Sequence, residues 1–120
     1  MKNLLVIDDF ASVRFYHRSL LERSGHRVLT APDGAAALEL INRESVDLVM
    51  LDLMMPVMDG AEFVRHIRAM PRYHLLPVVV VTSEVDHPRL QELRADPACT
   101  LLSKPVLPEA LLAALRSRFG

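Results

Sequence analysis

The chain has 120 residues, which by size is one domain with a single core, and we expect residues 1–120 to form that one domain. Fourteen Lys and Arg residues stand against 15 Asp and Glu residues, so the net charge of −1 disfavours attraction to DNA or an anionic membrane. The composition, 51% apolar and 24% charged with one cysteine, excludes disordered, collagen-like and disulfide-scaffold proteins.

The start of the chain and the length of its apolar runs predict the cellular location. Met1-Lys2-Asn3 precedes only four apolar residues before Asp8, too few for a signal peptide, and no apolar run is long enough to span a bilayer. We therefore expect a cytoplasmic protein. Met1 resembles a true start and Gly120 an arbitrary end, so both a stand-alone protein and a piece of a longer one stay open.

Short runs rich in Leu and β-branched residues alternate with longer stretches of helical period along the chain. This alternation predicts an α/β domain with a mostly parallel sheet. The predicted elements in chain order are strand 4–7, helix 11–23, strand 27–30, helix 35–43, strand 46–51, helix 61–70, strand 78–82, helix 88–94, strand 100–102 and helix 108–119.

Glycine and proline set several of these boundaries. Gly25 ends the first helix, Pro71 prevents the third from continuing, and Pro108 begins the last. The fourth helix lies between Pro88 and Pro97 and is therefore expected to be short.

The strands at 46–51 and 78–82 are almost continuously apolar, which is typical of strands covered on both faces. With right-handed crossovers, five strands and five helices predict a doubly wound parallel sheet between two helical layers. Ligands of such folds bind at the carboxyl ends of the strands.

Polar residues follow the predicted strands at that edge. Asp8 and Asp9 follow the first strand, Asp52 follows the third, Thr82 ends the fourth, and Lys104 comes after the fifth. Three converging carboxylates would repel one another by about 4 kcal/mol per close pair at an effective dielectric constant near 20 unless a cation neutralises them. Mg²⁺ prefers such oxygen ligands, so we predict a magnesium site.

The same edge has the residues that phosphoryl transfer requires. Lys104 supplies a positive charge and Thr82 a hydroxyl group for phosphoryl oxygens. A carboxylate can accept a phosphoryl group as an aspartyl phosphate, which makes Asp52 the candidate nucleophile.

Four segments in order resemble the receiver domain of two-component response regulators: VIDD at 6–9, LVMLDLMMPVMDG at 48–60, VVVVTS at 78–83 and LLSKPV at 101–106. The resemblance covers essentially the whole chain. It implies a flavodoxin-like three-layer sandwich with strand order 2-1-3-4-5.

The resemblance also implies roles for individual residues. Asp52 would accept a phosphoryl group from the phosphohistidine of a sensor histidine kinase or a histidine phosphotransfer protein. Asp9, Asp52 and the main-chain carbonyl of Met54 would bind Mg²⁺ directly, and Asp8 through metal-bound water. Thr82 and Lys104 would contact the phosphoryl oxygens.

By the same resemblance, Lys104-Pro105 would be a cis peptide, and phosphorylation would change the surface formed by the fourth helix, fifth strand and fifth helix, where a downstream protein binds. Stand-alone regulators of the chemotaxis type and shuttles of phosphorelays share this architecture, and the sequence does not separate them.

The sequence departs from the family pattern at two places. Leu101 occupies the place of a usual aromatic switch residue, and Ala95 to Cys99 replace the small turn before the fifth strand.

Met54 and Glu84 lie at the two positions where members of the family tune the rate at which the phosphoryl group is lost. Because the apolar side chain of Met54 cannot orient water, we expect slow self-dephosphorylation.

Parts of the sequence are also compatible with other functions. A phosphatase of the haloacid-dehalogenase type needs an acid two residues after the nucleophile, where this chain has Met54. A receiver that is never phosphorylated could act as a scaffold, which the complete residue set disfavours. Taken alone, Asp8 and Asp9 could instead cap a helix.

The remaining polar or reactive residues are predicted to be structural. We expect the methionines mostly to fill the core and Cys99 to be partly buried and unreactive, with Asp47 flanking the third strand and Asp59 starting the third helix. Surface or boundary positions are expected for His17, His26, His66, His74 and His87. Solvated helix faces, or less plausibly an anion-binding surface, are expected for Arg89, Arg94, Arg116 and Arg118.

Overall fold

The computed structural model describes residues 1–84 and 86–119. Strands and helices alternate through the described chain. In order they are β1 (Asn3–Ile7), α1 (Ala11–Arg23), β2 (Arg27–Ala31), α2 (Gly34–Arg43), β3 (Leu48–Asp52), α3 (Gly60–Arg68), a 3₁₀ turn (Pro71–Tyr73), β4 (Val78–Thr82), α4 (Pro88–Arg94), β5 (Cys99–Ser103) and α5 (Pro108–Phe119).

Four predicted elements begin and end where the structure has them: α1, α4, α5 and β4. The third helix differs, because it ends at Arg68 instead of continuing to Met70. Met70 has an extended backbone, with φ −87° and ψ 123°. The reason is Pro71, since a proline also disfavours helical backbone angles at the residue before it.

The third strand begins two residues later than predicted, at Leu48. Asp47 flanks it as expected: its Oδ2 accepts a hydrogen bond of 2.7 Å from the main-chain N–H of Asn3. This side chain ties the start of β3 to the start of β1.

All four strand pairs of the sheet are parallel, and the order is β2-β1-β3-β4-β5, which confirms the predicted fold class. Both nearly continuous apolar runs lie inside the sheet, in β3 and β4, and every residue of these strands is buried. The registers pair Leu51 with Val80 and Asp52 with Val81. The carboxyl ends of the central strands therefore lie side by side.

Alternate residues of the strands fill two separate cores. Leu5, Val49 and Val80 face a cluster that includes residues of α2, α3 and α4. Leu4, Met50 and Val79 face a second cluster that includes residues of α1 and α5. The sheet is thus the middle of three layers. None of the helices within residues 1–84 and 86–119 is long and apolar enough to span a membrane.

A glycine after α1 and capping aspartates before α2 and α3 mark the ends of these helices. Gly25 has φ +86°, the left-handed conformation typical of the residue that follows a helix. Asp59 caps α3, as predicted, because its Oδ1 accepts a 2.8 Å hydrogen bond from the main-chain N–H of Glu62. Asp33 caps α2 in the same way, with a 2.8 Å bond from Ala36.

One histidine contradicts the expectation of surface or boundary positions. His17 is buried, with 4% of its surface exposed. It follows Val13 by four residues and precedes Leu20 and Leu21 by three and four, so it lies on the apolar face of α1. This spacing was visible in the sequence and indicates burial.

The predictions of solvated arginines and of core methionines are confirmed in part. Arg94 and Arg116 are exposed, but Arg118 is half-buried, and its Nη2 donates bonds of 3.1 Å to the carbonyl of Pro97 and to Thr100 Oγ1. Most methionines contribute to the core, whereas Met1 and Met54 are exposed.

Cys99 is half-buried as predicted, and burial raises the pKa of its thiol to about 11. At neutral pH the thiol is therefore protonated. Since the thiolate is the nucleophilic form, this supports the expectation of an unreactive cysteine.

We predict that Gly60→Ala destabilises the protein. A methyl group there would lie 2.8 Å from the carbonyl oxygen of Asp52 and 3.0 Å from Leu53 Cα, and backbone atoms cannot move aside cheaply. The expected loss is about 1–3 kcal/mol in the free energy of unfolding, measured by urea denaturation.

Gly34→Ala is the matched control. Its methyl group would meet Met58 Sδ at 2.9 Å, which is the far end of a flexible side chain. We expect a change of at most about 0.5 kcal/mol, because alanine also favours the helix. Equal losses in both variants would contradict the close approach of α3 to β3.

Candidate functional site

The carboxyl edge of the sheet brings the predicted site residues to one place. Asp52 is the last residue of β3 and Thr82 the last of β4. Asp8 directly follows β1, and Lys104 directly follows β5. All four strands are parallel neighbours, so these residues share one edge.

Lys104 bridges two of the carboxylates. Its Nζ lies 3.1 Å from Asp52 Oδ2 and 3.4 Å from Asp8 Oδ2. Asp8 is completely buried and Asp52 is 8% exposed, so water screens these contacts poorly. The ammonium group is thus the counter-charge of the site.

The main chain around Lys104 is also held at this edge. Its N–H donates a 3.1 Å hydrogen bond to the carbonyl of Thr82. The Lys104–Pro105 peptide is cis, as the sequence analysis expected. The end of β5 is therefore tied to the end of β4 beside the carboxylates.

Asp8 does not serve as a helix cap. Its Oδ1 accepts a 2.9 Å bond from the N–H of Phe10, which itself occupies the N-cap position of α1 without a side-chain cap. The main-chain carbonyl of Asp8 accepts a 2.6 Å bond from Arg14 Nη1. This role of Arg14 was not predicted, because helical periodicity assigns the residue only to the polar face of α1.

Asp9 leaves one oxygen without a partner. Its Oδ1 is buried and accepts no hydrogen bond from any residue in 1–84 and 86–119. Each of Asp8, Asp9 and Asp52 offers a carboxylate oxygen, and these three oxygens lie within 4.8 Å of one another. A buried acceptor beside two further carboxylates fits a hard cation that takes oxygen ligands.

Met54 lies at the rim of this cluster. Its main-chain N–H donates a 3.3 Å bond to Asp52 Oδ1, and its side chain is 48% exposed. Both oxygens of Asp52 therefore have a donor nearby, Lys104 on one and Met54 on the other. The apolar side chain at this position supplies no acid or base.

The pKa of Asp52 is raised from its usual range. Burial is the main cause, and the charge of Asp8 adds to it, whereas the Lys104 ammonium and the Met54 N–H act in the opposite direction. The ionised form of Asp52 is thus disfavoured by desolvation, and an added cation would favour it.

Thr82 is buried, and its Oγ1 accepts a 3.0 Å bond from the main-chain N–H of Glu84. Since the hydroxyl is the acceptor there, its own proton is left to donate. Thr82 also lines a cleft of about 220 Å³ between α4 and β5, together with Leu101 and Ser103. Leu101 is half-buried and packs against the core that lies under α4.

Comparisons with known proteins identify the family. Residues 4–116 match the response regulator receiver domain, and the chain belongs to this family. It is 35% identical over 119 residues to the Bacillus subtilis alkaline phosphatase synthesis transcriptional regulatory protein PhoP, covering 97% of this chain and 48% of PhoP. It is likewise 35% identical over 120 residues to the Escherichia coli transcriptional regulatory protein CpxR, covering 98% of this chain and 49% of CpxR.

Among solved structures, the chemotaxis protein CheY4 of Vibrio cholerae is 35% identical and superposes with a TM-score of 0.91 over 99% of both chains. The chain spans about half the length of PhoP and CpxR, and nearly the whole of CheY4. Membership of this family places the chain in phosphorylation-dependent, two-component signalling.

We predict that the stability difference between Asp52→Asn and the native chain depends on pH. Because burial raises the pKa of Asp52 above its unfolded value, folding favours the protonated form. The contribution of Asp52 to the free energy of unfolding is fully present below the pKa that Asp52 has in the unfolded chain. It is lost as the pH rises through the pKa that Asp52 has in the folded protein. Without divalent cations, Asp52→Asn should therefore gain stability relative to the native chain between pH 3 and pH 7.

Urea unfolding at both pH values, with a chelator present, measures this difference. Glu39→Gln, at an exposed position of α2, is the control and should track the native chain at both pH values. If the stability of Asp52→Asn relative to the native chain falls as the pH rises, the Lys104 ammonium affects the pKa of Asp52 more strongly than burial does.

Proposed function

We propose that the chain is a phosphorylation-controlled switch in which Asp52 accepts a phosphoryl group from the phosphohistidine of a sensor histidine kinase or a histidine phosphotransfer protein. The observation that carries this proposal is the bridge from Lys104 to Asp52 and Asp8, beside the unpartnered oxygen of Asp9. In this proposal Asp52 is the nucleophile, Lys104 its counter-charge, and the oxygens of Asp8, Asp9 and Asp52 the ligands of a cation at the carboxyl edge of the sheet.

The residues that would hold Mg²⁺ are Asp8, Asp9, Asp52 and the main-chain carbonyl of Met54. Their oxygen atoms match the ligand preference of this ion, and three of the groups lie within 4.8 Å of one another. When bound, the ion neutralises charge on the transferring phosphoryl group and on the carboxylates.

The transfer itself uses the ionised carboxylate of Asp52. One of its oxygens attacks phosphorus, the bond between phosphorus and the donor's imidazole nitrogen breaks, and the electron pair stays on that nitrogen. The Lys104 ammonium and the Thr82 hydroxyl donate hydrogen bonds to the phosphoryl oxygens. The carboxylate of Asp52 becomes an aspartyl phosphate.

The surface formed by α4, β5 and α5 would then change and control binding of a downstream protein. Two contacts support this part of the proposal: Thr82 Oγ1 accepts from Glu84 N–H at the start of the segment leading to α4, and Thr82 O accepts from Lys104 N–H after β5. A hydroxyl that turns toward a phosphoryl group would alter the first contact and open or close the cleft beside Leu101.

We propose further that residues 1–120 act as a single receiver domain that regulates by binding and does not turn over a substrate. The exposed, apolar Met54 stands where an aspartyl phosphatase would need an acid. Stand-alone regulators and phosphorelay shuttles both remain compatible with this architecture.

We predict that incubation with acetyl phosphate and Mg²⁺ adds one phosphoryl group to the native chain. Intact-mass spectrometry should show the added mass, and it should be absent in Asp52→Asn and when Mg²⁺ is chelated. Asp59→Asn is the matched control, since Asp59 caps α3 outside the cluster and asparagine also caps helices.

The Asp59→Asn variant should be labelled as the native chain is. If the native chain takes up no phosphoryl group although its fold is intact, the scaffold interpretation would replace the proposal. Labelling of Asp52→Asn would place the acceptor elsewhere.

We predict that Met54→Asn shortens the lifetime of the phosphorylated protein. An amide at this rim position can hydrogen-bond a water molecule near Asp52, which the thioether does poorly. One such bond of about 1 kcal/mol corresponds to about five-fold faster loss of the phosphoryl group. The decay is followed by intact mass after removal of acetyl phosphate.

Met54→Leu is the apolar control and should decay at the native rate. The expectation of slow self-dephosphorylation would be wrong if the native chain loses its phosphoryl group as quickly as Met54→Asn does.

A further inference from the structure

A small cavity lies beside Lys104, between α1 and the segment that follows β5. Its volume is about 290 Å³, at the lower end of the range for small-molecule sites. The residues that line it are Val13, Tyr16, His17, Lys104, Pro105 and Val106. Apart from an imidazole and the stem of a lysine, its walls are aliphatic or aromatic.

His17 is the unusual member of this wall. It is 4% exposed, and no residue within 1–84 and 86–119 forms a hydrogen bond with its imidazole. The imidazole lies beside the ring of Tyr16, with 5.7 Å between the ring centroids. Its ring nitrogens are not fully enclosed, because the fully buried side-chain N and O atoms that lack a partner in the described residues are Asp9 Oδ1 and Arg118 Nε. The imidazole lines the cavity and therefore has hydrogen-bonding capacity that a molecule in the cavity can use.

The surroundings of this imidazole favour its neutral form. Burial lowers the pKa of His17 and the charge of Lys104 lowers it further, whereas the charge of Asp8 acts in the opposite direction. A neutral imidazole offers one donor and one acceptor. The Lys104 ammonium is engaged by Asp52 and Asp8, so it is not free to attract an anion into the cavity.

One hydrogen bond joins two of the segments that line the cavity. The Tyr16 hydroxyl donates a 3.0 Å hydrogen bond to the carbonyl of Val106, which ties α1 to the segment after β5. Tyr16 and Pro105 contribute two ring side chains to the lining, and neither residue belongs to the sheet.

We infer that this cavity is a binding site for a small, uncharged aromatic molecule with one polar group, which hydrogen-bonds His17. Apolar walls disfavour a charged ligand, since desolvating an ion has a large free-energy cost. They favour an aromatic ring, which packs against Tyr16 and Pro105. The single unpartnered imidazole then selects for one hydroxyl or N–H group on that ring.

Occupancy would also affect phosphorylation, because Lys104 forms part of the wall and also bridges the carboxylates. This consequence rests on the proposed function, whereas the binding site does not. The two can therefore fail separately.

The test compares phenol with toluene, which has nearly the same size and lacks the hydroxyl group. Each is titrated into the ¹⁵N-labelled full chain while two-dimensional amide spectra are recorded. We expect saturable shifts at Val13, Tyr16 and Val106, with phenol bound about five-fold more tightly than toluene.

Three variants complete the experiment. His17→Leu keeps the apolar packing of α1 and should bind phenol and toluene equally. His66→Leu, at an exposed histidine of α3, should keep the native preference. Val13→Phe fills the cavity, leaves His17 in place and should bind neither probe, which keeps the test valid if His17→Leu fails to fold.

The inference is overturned if neither probe shifts the cavity resonances, if the native chain binds both equally, or if His17→Leu retains the preference for phenol. If the native chain binds phenol and toluene equally, the cavity would instead be an apolar pocket for a side chain of a partner protein. Acetyl phosphate labelling with and without phenol separates the two proposals: a chain that binds phenol through His17 but takes up no phosphoryl group retains the site and loses the proposed function.

Discussion

The repulsion among the carboxylates of Asp8, Asp9 and Asp52 is the constraint on which this structure depends. A parallel sheet directs the ends of β1 and β3 to one edge, and burial there deprives the carboxylates of Asp8 and Asp52 of water. One ammonium, from Lys104, contacts two of them. Each close pair of ionised carboxylates costs about 4 kcal/mol at an effective dielectric constant near 20, and one ammonium leaves the cluster with net negative charge.

The loop between β3 and α3 shows how the backbone accommodates this cluster. Gly60 allows α3 to begin against the main chain of Asp52, where a side chain would collide. Within the same loop, Val57 has φ 70° and is 87% exposed. A β-branched residue in this left-handed region costs about 1–2 kcal/mol, and such strain persists where neighbouring contacts determine the backbone. Here the main-chain N–H of Met58 donates a 2.7 Å hydrogen bond to the carbonyl of Pro56 across Val57.

The same edge connects the carboxylates to the rest of the molecule. Thr82 accepts a hydrogen bond from Glu84 through its hydroxyl group and another from Lys104 through its carbonyl, so one residue ties the end of β4 to both neighbouring segments. Leu101, in place of an aromatic residue, lies half-buried beside the cleft at α4. On the opposite side, Lys104 reaches the cavity at His17. One lysine thus faces the charged cluster and an apolar cavity.

The sequence by itself determined the fold class, the strand order through its family motifs, and the set of residues at the sheet edge. Periodicity and glycine or proline signals are local, and parallel topology then brings strand ends together without further information. Only the tertiary structure decided the contacts across elements: that Lys104 bridges Asp8 and Asp52, that Arg14 holds the carbonyl of Asp8, and that His17 is buried without a hydrogen bond. These depend on side-chain directions and on packing between distant segments, which spacing along the chain does not specify.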